Sequence, residues 1–138
     1  MRAYLLGGFI ALGLVLAAGK TTAHHSFAAE FDANKPIKLS GVVTKVEWTN
    51  PHVWFYINVK DEKSGEVTNW GAEMGPPHGL QRGGWRRETL KIGERVTVQG
   101  SLAKNGSKRM NARSVTLDST GGRPGQTLDA VSSQGRTP

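Results

Sequence analysis

Residues 67–85 read "VTNWGAEMGPPHGLQRGGW", and the stretch changes character twice. From Val67 to Met74 the side chains alternate, with Val67, Asn69, Gly71 and Glu73 on one parity and Thr68, Trp70, Ala72 and Met74 on the other. That is the period-two signature of a strand. Pro76 and Pro77 then end it, because proline has no amide hydrogen for a ladder and its fixed φ suits a first helical turn. Gly79, Gly83 and Gly84 keep any helix that follows short, and Leu80 and Trp85 are its large apolar residues. A strand that gives way to a short, apolar-tipped helix places a plug at this point of the chain.

The flanking segments say what is plugged. Upstream, "VWFYINVKD" (53–61) alternates cleanly, with Val53, Phe55, Ile57 and Val59 on one face and Trp54, Tyr56, Asn58 and Lys60 on the other. Before it, "LSGVVTKVEW" (39–48) reads as a strand in which Val42, Thr44, Val46 and Trp48 share a parity, and Gly41 marks a bulge or a close backbone approach. "TNPH" (49–52) is a turn between the two, and "EKSGE" (62–66) is a hairpin connection to the third strand. Downstream, "RVTVQGSLA" (95–103) puts Val96 and Val98 inward, "KNGSK" (104–108) is a tight turn, and "MNARSVTLD" (110–118) is a fifth strand. Three strands, a short helix and two more strands predict an all-β fold. It is a small five-stranded, OB-fold-like Greek-key barrel whose helix between strands 3 and 4 closes the bottom. An open meander with a helical lid is the alternative arrangement of the same elements.

The ends of the 138-residue chain stand apart from this barrel. "MRAYLLGGFIALGLVLAAGKTTA" (1–23) has a basic start, an apolar run from Tyr4 to Ala18 that is short for a membrane span, and small residues after it. It reads as a signal peptide. Cleavage is expected before His24, with a competing site before Lys20, and it leaves no stable membrane span. Residues 24–38 form a leader carrying Phe27 and Phe31 as anchors, 39–118 the barrel, and 119–138 a tail poor enough in apolar residues to be disordered. The expected location is periplasmic or secreted, which excludes nucleic acid as a natural partner, and the expected state is monomeric.

Composition narrows the chemistry. The absence of cysteine removes disulfides, thiolate ligands and a lipid-modified cysteine together. Loss of Arg2 and Lys20 with the signal lowers the formal net charge from +7 to +5, densest at "QRGGWRRETLK" and "AKNGSKRMNAR". Neither phosphate-cradling glycine motif occurs, and no nucleophile elbow surrounds Ser26.

Several segments also resemble a family of small exported bacterial proteins of unknown function. They are "AHHSFAAEFD", "GVVTKVEWTNPHVWFYINVKD", "TNWGAEMGPPHGL", "GWRRETLKIGERVTVQG" and "NARSVTL", which span about Ala23 to Leu117. "WTNPH" and "EMGPP" are the most specific pieces. The resemblance implies export and an OB-like barrel but no reaction. It also implies that His24, His25, Trp48, Asn50, Pro51, His52, Trp70, Glu73, Met74, Gly75, Pro76 and Pro77 belong to shared motifs. His78 stands where such proteins more often carry Asn or another polar residue.

Two groups of candidate site residues follow. Trp48, Asn50, Trp54, Tyr56 and Trp70 are placed to form a ligand-binding face on the barrel, of the kind OB-folds use. His24, His25, His52 and His78 are candidate metal ligands. If the signal is cut before His24, its free amine and imidazole chelate one ion, and further imidazoles make an all-nitrogen set that favours copper. Mobile leader histidines and tryptophans that only pack under a lid are the structural alternatives. No pair of carboxylates has a catalytic spacing. The reading is therefore a non-enzymatic binding module for an unknown small ligand or an envelope protein, with a periplasmic copper-binding protein as the alternative.

Overall fold

The computed structural model describes residues 24–120 and 123–134, and of residues 24–26 the backbone only. The expected signal peptide and its cleavage site lie outside the described residues. In chain order the elements are α1 (His24–Glu30), β1 (Phe31–Glu47), β2 (Trp54–Lys60), β3 (Val67–Glu73), α2 (Pro77–Arg82), β4 (Arg95–Ala103), β5 (Arg109–Leu117) and β6 (Gln126–Asp129).

The strands close a ring. β1 pairs antiparallel with β2 through Val42–Glu47 and with β4 through Phe31–Val42, so one 17-residue strand serves two neighbours. β2 pairs with β3, β4 with β5, and a short parallel contact joins Gly71, Ala72 and Glu73 of β3 to Arg109, Met110 and Asn111 of β5. That last contact turns a meander into a barrel, in favour of the OB-like expectation. At Gly41 of β1 the neighbouring backbone comes so close that any Cβ would collide with the carbonyl of Asn58. A register shift between Val43 and Lys45 then changes the parity of the strand. As a result Val43 is buried on the core side and Val46 also packs on the core, although their sequence separation is odd.

The interior is filled by the inward positions of all five barrel strands, among them Val43, Phe55, Ile57, Ala72, Val96, Val98, Met110 and Val115. α2 starts with Pro77 at its first position and carries fully buried Leu80 to the barrel end. Trp85 is equally buried, and its indole N–H donates to the Asp129 carbonyl at 2.8 Å, so the largest core side chain keeps its one polar group satisfied.

Both ends differ from the sequence expectation. The leader is not a segment separate from the sheet: residues 24–30 are helical and residues 31–38 already belong to β1. Phe27 and Phe31 are buried with ring centroids 5.8 Å apart, as anchors should be. The tail is not disordered throughout. β6 extends the sheet beside β5, and Leu128 and Ala130 join the core. Beyond β6, the Ala130 carbonyl accepts the amide of Gly75 at 2.8 Å, and Val131 adopts a φ of 51° with its carbonyl against the bare Cα of Gly75. Leu128 and Ala130 at alternate positions, with Val131 packed beside them, dock a segment whose average composition is that of a linker.

Candidate functional site

Cross-strand partners share a face of the sheet, and this locates the candidate residues. Trp54 lies opposite Glu73, Tyr56 opposite Gly71, Gly71 beside Arg109, and Glu73 beside Asn111. Trp54, Tyr56, Glu73, Arg109 and Asn111 therefore occupy one outer face of β2, β3 and β5. Gly71 contributes no side chain, which leaves room for the rings of Tyr56 and Trp54 over its Cα. The Arg109 guanidinium stacks 5.4 Å from the Trp54 ring centroid, and the Lys45 ammonium lies 5.4 Å from that of Tyr56.

The polar members of the face hold one another. The Tyr56 hydroxyl donates to Glu47 Oε2 at 3.1 Å, while Lys45 donates to the other carboxylate oxygen. The Lys45 bond and then the tyrosine bond hold Glu47 below its ordinary pKa. Burial, followed by the bond to Glu47, raises that of Tyr56.

Glu73 is the unusual group. It is 6% exposed, its Oε1 accepts the Asn111 amide at 3.0 Å, and His52 Nδ1 lies 3.4 Å from the same oxygen. Asn111 is in turn held by the segment after β6: the Ser132 hydroxyl donates to its Oδ1, and its amide reaches Ser133 Oγ at 3.2 Å. Burial raises the Glu73 pKa above the ordinary carboxylate value, and Glu30 at the end of α1 adds repulsion. His52, Asn111 and Arg109 act in the opposite sense. A buried carboxyl with one histidine and one amide can hold a proton or a cation, and Trp54 with Arg109 can stack a planar or anionic group.

The candidate residues do not all converge. Trp48 and Trp70 pack on the core from partly buried positions. Trp70 is opposite Ile57, on the face away from Trp54 and Tyr56, with Lys108 5.3 Å from its ring centroid. Asn50 is exposed and precedes Pro51 through a cis peptide bond. Of the five residues expected on a binding face, only Trp54 and Tyr56 share one. Among the histidines, His52 meets Glu73 and His78 is exposed on α2; the side chains of His24 and His25 lie outside the described set. Among the described residues no group of three histidines or carboxylates converges as a metal site.

His52 lies just before β2 and Glu73 at the end of β3. They meet because consecutive antiparallel strands place the start of one beside the end of the next. Sequence reading passed over Arg109, Asn111 and the Ser132–Ser133 pair. Their outward parity in "RMNAR" was visible, but the parallel contact between β3 and β5 that delivers them to Glu73 has no local signal.

The closed ring with a helix between its third and fourth strands defines an OB-like β-barrel. Residues 11–112 match the model of a family of unknown function, DUF6152, and the chain belongs to that family. The segment from β6 onward lies outside the matched range. A similar solved structure is the dimeric N-terminal domain of the PriB protein from Thermoanaerobacter tencongensis. It is 17% identical with a TM-score of 0.40, over 63% of this chain and 99% of that one. No curated protein matches the chain.

Proposed function

We propose that the protein is an exported, non-enzymatic binding module whose ligand lies on the outer face of β2, β3 and β5. The observation that carries this reading is the stack of Arg109 on Trp54 beside Tyr56, next to the buried Glu73. Aromatic rings, a cation and a carboxyl within one patch supply contact area and orientation without a nucleophile and base in bonding distance. The signal-like first 23 residues support delivery to the periplasm or the exterior. The test is a thermal-shift and calorimetric screen of the purified protein against small acids, sugars and peptides. A ligand on this face raises the melting temperature of the wild type and binds about tenfold more weakly to Trp54→Ala, in line with the loss of one stacking contact. A screen whose binders are indifferent to Trp54→Ala and Tyr56→Ala, or turnover of any substrate that is lost in Glu73→Gln, overturns it.

The contact between His52 and Glu73 favours a second reading, a periplasmic copper-binding protein. Cleavage before His24 would add an amine and an imidazole on α1, whose last residue, Glu30, is close enough to Glu73 to act on its charge. His25 is the further nitrogen donor available, and His78 stands exposed on α2. Cu(II) titration of protein with a verified His24 start, read by electron paramagnetic resonance, tests it. Nitrogen couplings lost on His52→Ala and on adding one residue before His24 are expected; an unchanged spectrum in both excludes this site.

A further inference from the structure

A cleft of about 510 Å³ opens between the end of α1 and the turn joining β4 to β5, with Glu30 on one wall and Lys104, Asn105, Ser107 and Arg109 on the other. Its walls are tied together. The Lys104 amide donates to the Glu30 carbonyl at 2.8 Å, and the Lys104 ammonium donates to the Ala28 carbonyl. The turn is ordered in its own right by the Ser107 amide, which donates to Asn105 Oδ1 at 3.0 Å. One polar atom is left over: Ser107 Oγ is buried and has no hydrogen-bond partner among the described residues. A buried hydroxyl without a partner is uncommon and points to a missing one. The charged side chains of the cleft, Glu30, Lys104 and Arg109, are exposed. The ion pairs of the described residues are Asp32 with Lys35, Glu47 with Lys45, Glu73 with His52 and Glu94 with Arg123, so Lys104, Arg109 and Glu30 have no ionic partner among them.

We propose that this cleft binds a small organic acid that carries a hydroxyl or ammonium group close to its carboxylate. The proposal rests on the binding-module reading and places the anionic end of a ligand beside Arg109, whose guanidinium stacks on the half-buried Trp54 ring. The carboxylate sits between Lys104 and Arg109, where two cations meet it, and the unpartnered Ser107 hydroxyl is its further donor. Glu30 faces the ligand from the opposite wall and accepts a hydrogen bond from the hydroxyl or ammonium group. The volume lies within the range of small-molecule sites.

Isothermal titration of the full chain with malate, glutamate, succinate and inorganic phosphate tests the assignment. Malate or glutamate should bind about tenfold more tightly than succinate, which lacks the second polar group, and Glu30→Ala should close that gap. Ser107→Ala should weaken binding about fivefold while leaving the melting temperature unchanged or raised, since it removes an unsatisfied buried hydroxyl. A serine with a structural role alone would move the melting temperature and not the affinity. No saturable heat from malate or glutamate, equal affinity in Ser107→Ala, or tightest binding by phosphate overturns the proposal. Acid binding lost in Trp54→Ala but kept in Ser107→Ala overturns the cleft and leaves the aromatic face standing. Ligands that ignore Trp54→Ala yet depend on Ser107 overturn the aromatic face alone.

Discussion

Glu73 was visible in the sequence near the end of the third strand, on the parity of Val67, Asn69 and Gly71, and the pairing with β2 puts that parity on the outer face, where a carboxylate is normally solvated. Its burial comes from elements that no local pattern near it announces: Asn111 arrives through the parallel contact with β5, and Ser132 and Ser133 lie beyond β6. The physical consequence is a titration. Because its folded pKa is raised, the folded state favours the neutral carboxyl. The associated stability is complete below the ordinary value of 4.5 and is lost as pH rises through the folded pKa. Glu73→Gln keeps the neutral shape at every pH. Its melting temperature should exceed that of the wild type at pH 8, by an amount that shrinks to nothing below pH 4.5. A variant less stable than the wild type at pH 8 would mean that attraction to His52 outweighs the cost of burial.

At the scale of the element, legibility followed how strictly each strand obeys one period. β2 alternates without interruption because Phe55 and Ile57 face the core while Tyr56 and Asn58 face outward, and its reading held residue by residue. β1 did not, because the bulge at Thr44 inserts a residue whose side chain suits either face, so parity counted from Val42 fails beyond it. β4 and β5 also slip register, between Gln99 and Gly100. There an added Cβ would overlap the Asn111 carbonyl, so the position requires glycine for close approach. Gly100→Ala should destabilise the barrel by about 2–3 kcal/mol, the range of an overpacking substitution, as read from urea denaturation midpoints at constant slope. The same substitution pushes on the backbone that carries Asn111. Ligand affinity at the outer face should fall with it, whereas strain confined to the β4–β5 pairing would leave affinity unchanged.

At the scale of the molecule, the barrel is completed by a segment that composition alone assigns to a linker. The OB order was legible because three strands, a proline-initiated helix and two strands have few compact solutions. The sixth strand was not, because Leu128 within it and Ala130 and Val131 just after it are the only aliphatic signals amid Gly, Ser, Thr and Gln. Yet this segment supplies the acceptor for the Trp85 indole, the acceptor for the Gly75 amide and the hydroxyls around Asn111. Removal of residues 123–138 would strip two buried donors of their partners, at about 1–3 kcal/mol each, and uncover Leu128's site for about 2 kcal/mol more. The truncated chain should therefore lose on the order of 4–8 kcal/mol, which lowers the melting temperature by roughly 20–40 °C for a domain of this size. Circular dichroism gives the melting temperature, and Trp85 fluorescence shows whether the plug has become wet. If the truncated protein melts within a few degrees of the full chain with unshifted emission, the barrel closes without β6. The segment's contacts to Trp85 and Asn111 would then be incidental to both fold and site.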